Sequence, residues 1–334
     1  MMKTTRGWGR KVFVSGTLAI AGGLALLAPM PAAQAGEKVT YLLPAPAFLP
    51  AFGPWMVAKA RGYYAKDGLD VDFEAAKGGA DVAKQVGVGN AVIGGAIGDT
   101  PIIVRANGVP VKAVAVLGGG GLMQLVMRAD SPIKSPADLK GQTVTVLSYQ
   151  DTTYYALLGM LAKVGLSKND VNIQAAGATN VWKLFVAGQA AAMAAVPDWI
   201  VDAEGANAKL RIIPADEYFP SMAQAIVASD ATIKAKPKLI RDLVQATLHG
   251  LRDIMQNPVS AAHDYVKAVP QNAGREAAMA KTFELYNKYV YPGQKVLGEI
   301  DPKRLAEVEN FYVKQGIVEK ATPIDELYTN EFVK

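Results

Sequence analysis

Short apolar strands alternate with helices along the chain, and the alternation occurs twice. The first group of strands is predicted at 39–44, 69–76, 91–97 and 111–117. The first helix between them has Pro54 in its opening turn and Gly68 at its end, as helix boundaries favour. Strands that alternate with helices form βαβ units, so we expect an α/β fold with mostly parallel sheets.

The second alternation follows a break in this pattern. Its strands are predicted at 143–148, 171–177, 191–197 and 210–214. A long apolar strand at 122–129 has no helix before it, and another long apolar run lies at 221–229. The chain is helical from there to its end. We therefore expect two lobes joined by two strands, with a ligand cleft between the lobes.

The first 35 residues have the pattern of a secretory signal peptide. A basic segment without acids precedes an apolar run, and an A-x-A motif ends at Ala35. We expect cleavage between Ala35 and Gly36 and a periplasmic location for the mature protein. The apolar run is nearly long enough to span a membrane. Glycines and Pro29 interrupt it, so a retained membrane anchor is the less favoured interpretation.

Removal of this segment changes the charge of the protein. The whole chain has 35 basic and 30 acidic residues, a net charge of +5. Four of the basic residues and none of the acidic ones lie in the predicted signal peptide, so the mature chain carries +1. No basic stripe remains to neutralise phosphates, and nucleic-acid binding is not expected.

The chain has no cysteine and two histidines, which limits the reactive sites it can form. His249 and His263 lie in the predicted C-terminal helices, and neither has a second histidine or a cysteine nearby with which to form a zinc site. No partner for a general base is evident, and neither a nucleophile elbow nor a P-loop occurs. We expect no catalytic residue, no metal and no cofactor.

The stretch GVGNAVIGGAIGDTP is rich in glycine but does not fit a dinucleotide-binding motif. That motif requires G-x-G-x-x-G between a strand and a following helix. Gly87 and Gly89 instead follow a helix and precede a strand, and Val92 stands at the third glycine's place. We interpret these two glycines as a helix end and a tight turn. Gly94 and Gly95, within the strand, are interpreted as points of close packing.

Three segments occur in order at the distances typical of one family. They are WMVAKARGYYAKDGLDVDF, GNAVIGGAIGDTPIIVRANGVPVKAVAV and SPADLKGQTVTV. With them the chain resembles periplasmic substrate-binding proteins of ABC importers, in the nitrate, sulfonate, taurine and thiamine-pyrimidine-precursor group. The resemblance covers roughly residues 38–320. It does not identify the ligand, because this group shares a scaffold and varies its pocket.

The resemblance implies a two-lobed periplasmic-binding-protein fold of type II-like topology. Two mixed, mostly parallel sheets flanked by helices would be joined by two hinge strands. We expect lobe 1 to comprise 36–125 and 223–334, the latter including the C-terminal helices, and lobe 2 to comprise 126–222. We expect the protein to be a monomer. Its expected partners are a small-molecule ligand, an inner-membrane ABC permease and its ATPase. No reaction is implied.

Loops of both lobes are expected to meet at one cleft, because ligands collect at the carboxyl ends of strands. The candidate ligand-binding residues of lobe 1 are Pro46, Phe48, Gly78, Gly79, Gly98, Asp99 and Thr100. Those of lobe 2 are Ser148, Tyr149, Asp151, Thr152, Trp182, Asp198 and Trp199. The aromatic rings offer flat faces and the aspartates offer acceptors. Each aspartate could instead cap a helix, and each tryptophan could pack in the core.

The sequence is compatible with two ligand classes. A small flat or partly cationic organic solute, such as an aminopyrimidine, is preferred because three aspartates and four aromatics accompany no bidentate arginine. The alternative is a sulfonate, taurine or nitrate-type anion held by helix N-termini and backbone amides of Gly78, Gly79 and 148–153. A secreted enzyme on the same scaffold is disfavoured, since the pyrimidine-synthesising relatives look rich in cysteine and histidine around their site. A structural or sensor role would need a dimer patch, which the sequence does not reveal.

Overall fold

A computed structural model describes residues 36–334, which form ten strands and thirteen α-helices. The predicted signal peptide at 1–35 and its cleavage site lie outside, or at the edge of, the described residues. The strands belong to two five-stranded sheets, one for each predicted alternation. The sequence-based expectation of two α/β lobes is therefore met.

The first sheet has the strand order β2-β1-β3-β10-β4. Its strands are β1 (Glu37–Leu43), β2 (Leu69–Ala75), β3 (Ile93–Ile97), β4 (Val111–Val116) and β10 (Gln224–Ser229). Strand β1 pairs in parallel with β2 and β3, whereas β10 is antiparallel to β3 and β4. Every residue of β3 and β10 is buried, which explains why these strands read as continuous apolar runs.

The second sheet repeats this arrangement with the strand order β7-β6-β8-β5-β9. Its strands are β5 (Gln124–Arg128), β6 (Thr143–Val146), β7 (Asn172–Ala175), β8 (Ala192–Ala195) and β9 (Leu210–Pro214). Strand β6 is parallel to β7 and β8, and β5 is antiparallel to β8 and β9. In each sheet, the strand that is antiparallel to both of its neighbours is the first one that the chain forms after it crosses from the other lobe.

The chain crosses between the sheets twice, at 117–123 and at 215–223. The two crossovers run side by side, and the Leu122 N–H donates to the Met222 carbonyl oxygen at 3.2 Å. Two adjacent connections allow one lobe to rotate against the other with little change elsewhere, as in hinged binding proteins. The hinge strands predicted at 122–129 and 221–229 therefore correspond to β5 and β10.

Helices cover the outer faces of both sheets. Around the first sheet they are α1 (Gly53–Ala60), α2 (Tyr63–Lys66), α3 (Gly79–Gly87), α4 (Thr100–Arg105), α8 (Asp230–Ala235), α9 (Pro237–Gln256), α10 (Pro258–Ala268) and α11 (Glu276–Tyr289). Those of the second sheet are α5 (Thr152–Lys163), α6 (Gly177–Val186) and α7 (Pro197–Gly205), and the chain ends with α12 (Pro302–Lys314) and α13 (Ile324–Leu327). Nowhere in residues 36–334 does a helix combine the length and apolar composition needed to cross a membrane.

Glycines in β3 let helix α3 pack closely on the first sheet. A Cβ atom built on Gly94 would overlap Val82 Cγ1 of α3, and one on Gly95 would lie 3.0 Å from Leu43 Cδ2. Gly89, in the turn after α3, has a φ of 84°, a left-handed conformation that favours glycine. The interpretation of this stretch as turn and packing glycines agrees with the structure.

Helix α12 holds the two crossovers together through one arginine. Arg304 donates from Nε to the Ser221 carbonyl oxygen and from Nη1 to the Gly119 carbonyl oxygen, each at 2.9 Å. Its Nη2 lies 2.5 Å from Asp216 Oδ1. Gly119 belongs to the first crossover and the other two residues to the second, so one side chain joins both strands of the hinge.

Candidate functional site

A cavity lies between the two sheets, at the carboxyl ends of β1 and β3 from one lobe and of β6 and β8 from the other. Its empty volume is about 540 Å³, which includes space open to solvent.

The cavity lining is mostly apolar, with a few polar groups. Phe52 and Leu122 from one side and Trp199 from the other form much of its apolar surface. Asp151 and Asp198 are its charged residues, and the lining found within residues 36–334 includes no lysine or arginine. An apolar pocket with a few fixed polar groups is typical of small-molecule binding sites. Both ionisable side chains of this lining are acidic.

Asp198 lies in the first turn of α7 and is 3% exposed. Its Oδ1 has no hydrogen-bond partner among the described residues. Burial raises the pKa of Asp198 to about 7, and the nearby charge of Asp202 acts in the same direction. The charge of Arg275 lowers the pKa. Asp198 therefore lines the cavity close to the Tyr286 hydroxyl, which also lowers its pKa, and its Oδ1 is left without a hydrogen bond within residues 36–334.

Asp99 stands at the N-cap position of α4, but its side chain makes no capping hydrogen bond. The Tyr312 hydroxyl instead donates to Asp99 Oδ2 at 2.6 Å, while Oδ1 has no partner in the described part of the chain. Burial raises the pKa of Asp99 to about 6, and the charge of Asp151 adds to this effect. Asp99 follows the lining residue Ile97 by two positions and lies just behind the cavity wall.

Asp151 both lines the cavity and caps helix α5. Its Oδ1 accepts from the Thr153 backbone N–H at 3.0 Å and from the Thr153 hydroxyl at 2.5 Å. Burial raises the pKa of this carboxyl, and both hydrogen bonds oppose that rise. One of the free N–H groups that begin α5, that of Thr153, therefore already donates to a carboxylate of the protein itself.

Histidine and carboxylate groups do not form a metal site in the described residues. No group of three or more histidine, cysteine, aspartate or glutamate side chains comes together within residues 36–334. His249 on α9 and His263 on α10 are both exposed and lie outside the cavity lining. The two histidines therefore do not contribute to the cavity.

Four of the residues predicted from the sequence line the cavity: Gly79, Asp151, Asp198 and Trp199. Three others, in the segment 98–100, are buried behind it. The Gly98 N–H donates to the Ala223 carbonyl oxygen at 3.1 Å, and Thr100 Oγ1 accepts from the Ile97 N–H at 3.2 Å. This segment supports the wall of the cavity from within the first lobe.

Two predicted loops face each other across the cleft. A Cβ atom built on Gly78 would lie 3.7 Å from the Gln150 carbonyl oxygen and 3.9 Å from Ser148 Oγ. Gly78 belongs to the first lobe and the other two to the second, so the lobes approach closely at this edge. Thr152 begins α5 between the lining residues Asp151 and Thr153.

The remaining predicted residues lie apart from the cavity lining. Pro46 is exposed, and Phe48 and Tyr149 are 43% and 51% exposed in separate surface grooves. Trp182 on α6 is half-buried and lines a depression at the seam between the lobes, together with Lys281 of α11. Their role in ligand binding stays a prediction.

The residues predicted from the sequence do not include most of the cavity lining. Gln224, Thr153 and Phe52 all line the cavity. Gln224 had a detectable signal, because it is the single amide within the apolar run 221–229 and a buried polar side chain in a strand needs a partner. It is 4% exposed, and its Oε1 has no partner among residues 36–334.

Comparison with known proteins gives a family and a fold. The family described as "NMT1/THI5 like" matches residues 49–261. Riboflavin-binding protein RibY of Chloroflexus aurantiacus is 26% identical over 317 residues, covering 92% of this chain and 89% of RibY. A solved structure from Bordetella bronchiseptica RB50 has a TM-score of 0.73 at 21% identity, covering 89% of this chain and 95% of that one.

A second solved structure contains a bound ligand. It is the alkanesulfonate-binding protein SsuA of Xanthomonas axonopodis pv. citri bound to MOPS, with a TM-score of 0.69 at 16% identity. The match covers 89% of this chain and 98% of that one. At this identity the similarity establishes the fold, and the predicted two-lobed α/β fold of periplasmic binding proteins is confirmed.

Proposed function

The chain belongs to the NMT1/THI5-like family, and on that premise we propose that it is the extracytoplasmic solute-binding component of an ABC import system. We propose that it captures a flat organic solute that donates hydrogen bonds, such as an aminopyrimidine, between its lobes. The observation that carries this proposal is the acidic composition of the cavity lining. Asp151 and Asp198 line it, and no lysine or arginine of the described residues does.

Asp198 is the residue expected to select such a ligand. A buried carboxylate oxygen without a donor is costly, and a hydrogen bond to a charged group contributes about 1.5–3 kcal/mol. An N–H group of the ligand would supply the donor. Trp199 and Phe52 offer the apolar faces against which a planar ring packs. The two features together suit a ring that carries amino or imino groups.

The relative RibY supports a flat ligand, because it is named a riboflavin-binding protein and riboflavin is a heteroaromatic compound. The size of the cavity favours a smaller ring. Its empty volume of about 540 Å³ includes space open to solvent, and a three-ring system would need a larger separation of the lobes than a single ring. We therefore place a one-ring solute ahead of a flavin.

An anionic solute is the second candidate, favoured by the helices α3, α5 and α7, which all begin at the cavity. The carboxylate of Asp151 already accepts from the Thr153 N–H in the first turn of α5. A sulfonate there would meet a like charge in a poorly solvated site, which disfavours its binding.

The transport role follows from the family and the fold. We propose that the mature protein acts in the periplasm as a monomer and delivers its ligand to an inner-membrane permease and its ATPase. Lobe 1 would comprise 36–116 and 224–334 and lobe 2 124–214, with the two crossovers as the hinge. Opening about the crossovers would admit the solute, and closure would enclose it.

We propose binding without a reaction. Both histidines of the chain are exposed on α9 and α10, away from the lining. The chain has no cysteine that could act as a nucleophile. The aspartates of the cavity have no histidine, lysine or arginine beside them in the described lining to complete an acid–base pair.

A thermal-shift screen tests the ligand class. Aminopyrimidines, riboflavin, taurine and alkanesulfonates are each added to the mature protein at a saturating concentration. A ligand at one hundred times its dissociation constant adds about 2.7 kcal/mol to the free energy of unfolding, which raises the melting temperature by several degrees. The proposal expects stabilisation by a flat donor ligand. Stabilisation by taurine or alkanesulfonates alone would overturn it in favour of the anion.

A further inference from the structure

Two ion pairs cross the seam between the lobes beside the cavity. Arg275 Nη2 lies 2.6 Å from Asp202 Oδ1, and Lys281 Nζ lies 2.6 Å from Glu204 Oε2. The first pair is also a hydrogen bond, whereas the second is an ion pair by distance without hydrogen-bond geometry. Both cations belong to the first lobe, at the start of α11 and within it, and both anions belong to α7 of the second lobe.

Helix α7 connects these pairs to the ligand cavity. Asp198 lies in its first turn and lines the cavity, and Asp202 follows four residues later on the same side of the helix. Trp199, the aromatic wall of the cavity, is carried by the same turn. A force that fixes α7 against α11 therefore also fixes the carboxylate and the ring that the proposed ligand would contact.

We propose that Arg275, Lys281, Asp202 and Glu204 form an interlobe clamp that holds the closed form and positions α7 for the ligand. The four residues lie outside the cavity lining and set affinity by stabilising closure. Separation of the lobes about the hinge breaks both pairs at once, because each pair has one member on each lobe. The effect on the ligand rests on the proposed function, whereas the effect on closure does not.

The expected size of the effect is moderate. The side chains of the four residues are 26% to 51% exposed, so water and salt screen their attraction. Exposed ion pairs of this kind contribute roughly 0.2–1 kcal/mol. Each pair should therefore change the ratio of closed to open molecules by roughly 1.4- to fivefold. A shift of that size is large enough to measure as a change in populations.

Distances between two spin labels in the ligand-free protein test the clamp. The chain contains no cysteine, so labels can be placed at Gln256→Cys in the first lobe and Ala187→Cys in the second without a background. Both residues are exposed. The expected result for the otherwise unchanged protein is a major short distance at low salt, with a larger share of the long distance at 1 M NaCl.

Charge reversal provides the decisive comparison. Lys281→Glu and Glu204→Lys, each alone, should shift the population toward the long distance, and the double variant should restore the short one. Rescue by the exchanged charges would not occur if either residue had only a local structural role. The matched control is Lys238→Glu, which breaks a lysine–carboxylate pair of the same 2.6 Å length within α9 and should leave the distances unchanged.

Three outcomes would overturn the clamp. They are a long distance already dominant in the unchanged protein at low salt, equal distributions with and without Lys281→Glu, and a double variant as open as the single ones. Because no ligand is present, these results are independent of the solute. Failure of the ligand screen would leave the clamp standing, and failure of the clamp would leave the ligand class unaffected.

Discussion

At the scale of single residues, the buried carboxyl of Asp198 opposes folding when it ionises. Its pKa rises to about 7 mainly because burial removes water from the charged form. Asp202 on the same helix adds to the rise, while Arg275 and Tyr286 of the opposing segment reduce it. A ligand that donates a hydrogen bond here would remove part of this cost, so ligand binding and the stability of the lobe interface are linked through one carboxyl.

The stability of the protein should depend on pH through Asp198. The folded form binds the proton more tightly than the unfolded form, whose pKa is near 3.8, so the contribution of Asp198 to stability falls as pH rises from about 4 to 7. The difference in free energy of unfolding between Asp198→Asn and the unchanged protein should grow by up to about 1.4 kcal/mol per pH unit in this window. Urea titrations between pH 4 and 8 measure it.

The control for this pH dependence is Asp130→Asn, which alters an exposed carboxyl in the turn after β5. This variant removes an exposed carboxyl outside the cavity lining, so it measures the general effect of losing one acidic side chain. If the difference in free energy of unfolding between Asp198→Asn and the unchanged protein did not vary with pH, ionisation of the Asp198 carboxyl would not destabilise the folded protein.

Gly94 should be intolerant of any side chain. A methyl group at this position of β3 would overlap Val82 Cγ1, and α3 would have to move away from the sheet. Gly94→Ala is expected to lower the free energy of unfolding by about 1–3 kcal/mol, the usual cost of overpacking. Gly205→Ala is the control, since a Cβ there meets nothing within 4 Å, and it should be neutral or slightly stabilising. Equal urea midpoints for the two variants would contradict this packing argument.

The local sequence predicts the role of one aspartate of the site and not that of another. The Asp151 carboxyl was recognisable as a helix cap or a ligand contact, and it is a cap that also lines the cavity. Asp99 stands where a cap is expected, yet its partner is Tyr312, 213 residues further along the chain. No local pattern announces such a pairing, because it arises only when the C-terminal helices pack against the first lobe.

At the scale of elements, the rotation of each helix decides which of its side chains reach the cavity. Trp182 on α6 and Trp199 on α7 both follow strands of the second sheet, and the sequence makes them equivalent candidates. The structure places Trp199 in the cavity lining and Trp182 at the outer seam beside Lys281. The difference depends on how the first lobe docks against these helices, which strand and helix periodicity do not encode.

Helix α12 should control the strength of the hinge through Arg304. Arg304→Met keeps the apolar stem but leaves the carbonyls of Gly119 and Ser221 and the carboxylate of Asp216 without their shared donor. The free energy of unfolding should fall by about 1.5–3 kcal/mol, the contribution of a hydrogen bond to a charged group. Urea denaturation measures this loss.

The control for the hinge is Arg252→Met. Arg252 is exposed on α9, and its Nη1 contacts His249 of the same helix. Its removal should change stability by less than about 0.5 kcal/mol, as surface substitutions usually do. If both arginine variants were equally stable, Arg304 would not be holding the crossovers.

At the scale of the whole molecule, the order of segments was the most informative part of the sequence. Two successive α/β alternations predict two lobes, and two apolar strands without a preceding helix predict two connections between them. The structure has one five-stranded sheet for each alternation, and the two sheets share the same pattern of strand order. The contacts between the lobes were not predictable, because Arg275 and Asp202 lie 73 residues apart on elements that meet only after both lobes have folded. The ligand cavity is made of such contacts.

The most direct test is the ratio of dissociation constants for Asp198→Asn and the unchanged protein, measured by calorimetry at pH 8. For an aminopyrimidine or another flat donor ligand, loss of the carboxylate should weaken binding by roughly tenfold or more, since a hydrogen bond to a charged group is lost. Asp130→Asn should leave the affinity unchanged. Binding of a sulfonate that becomes tighter in Asp198→Asn, with no binding of flat donor ligands, would contradict the proposed function.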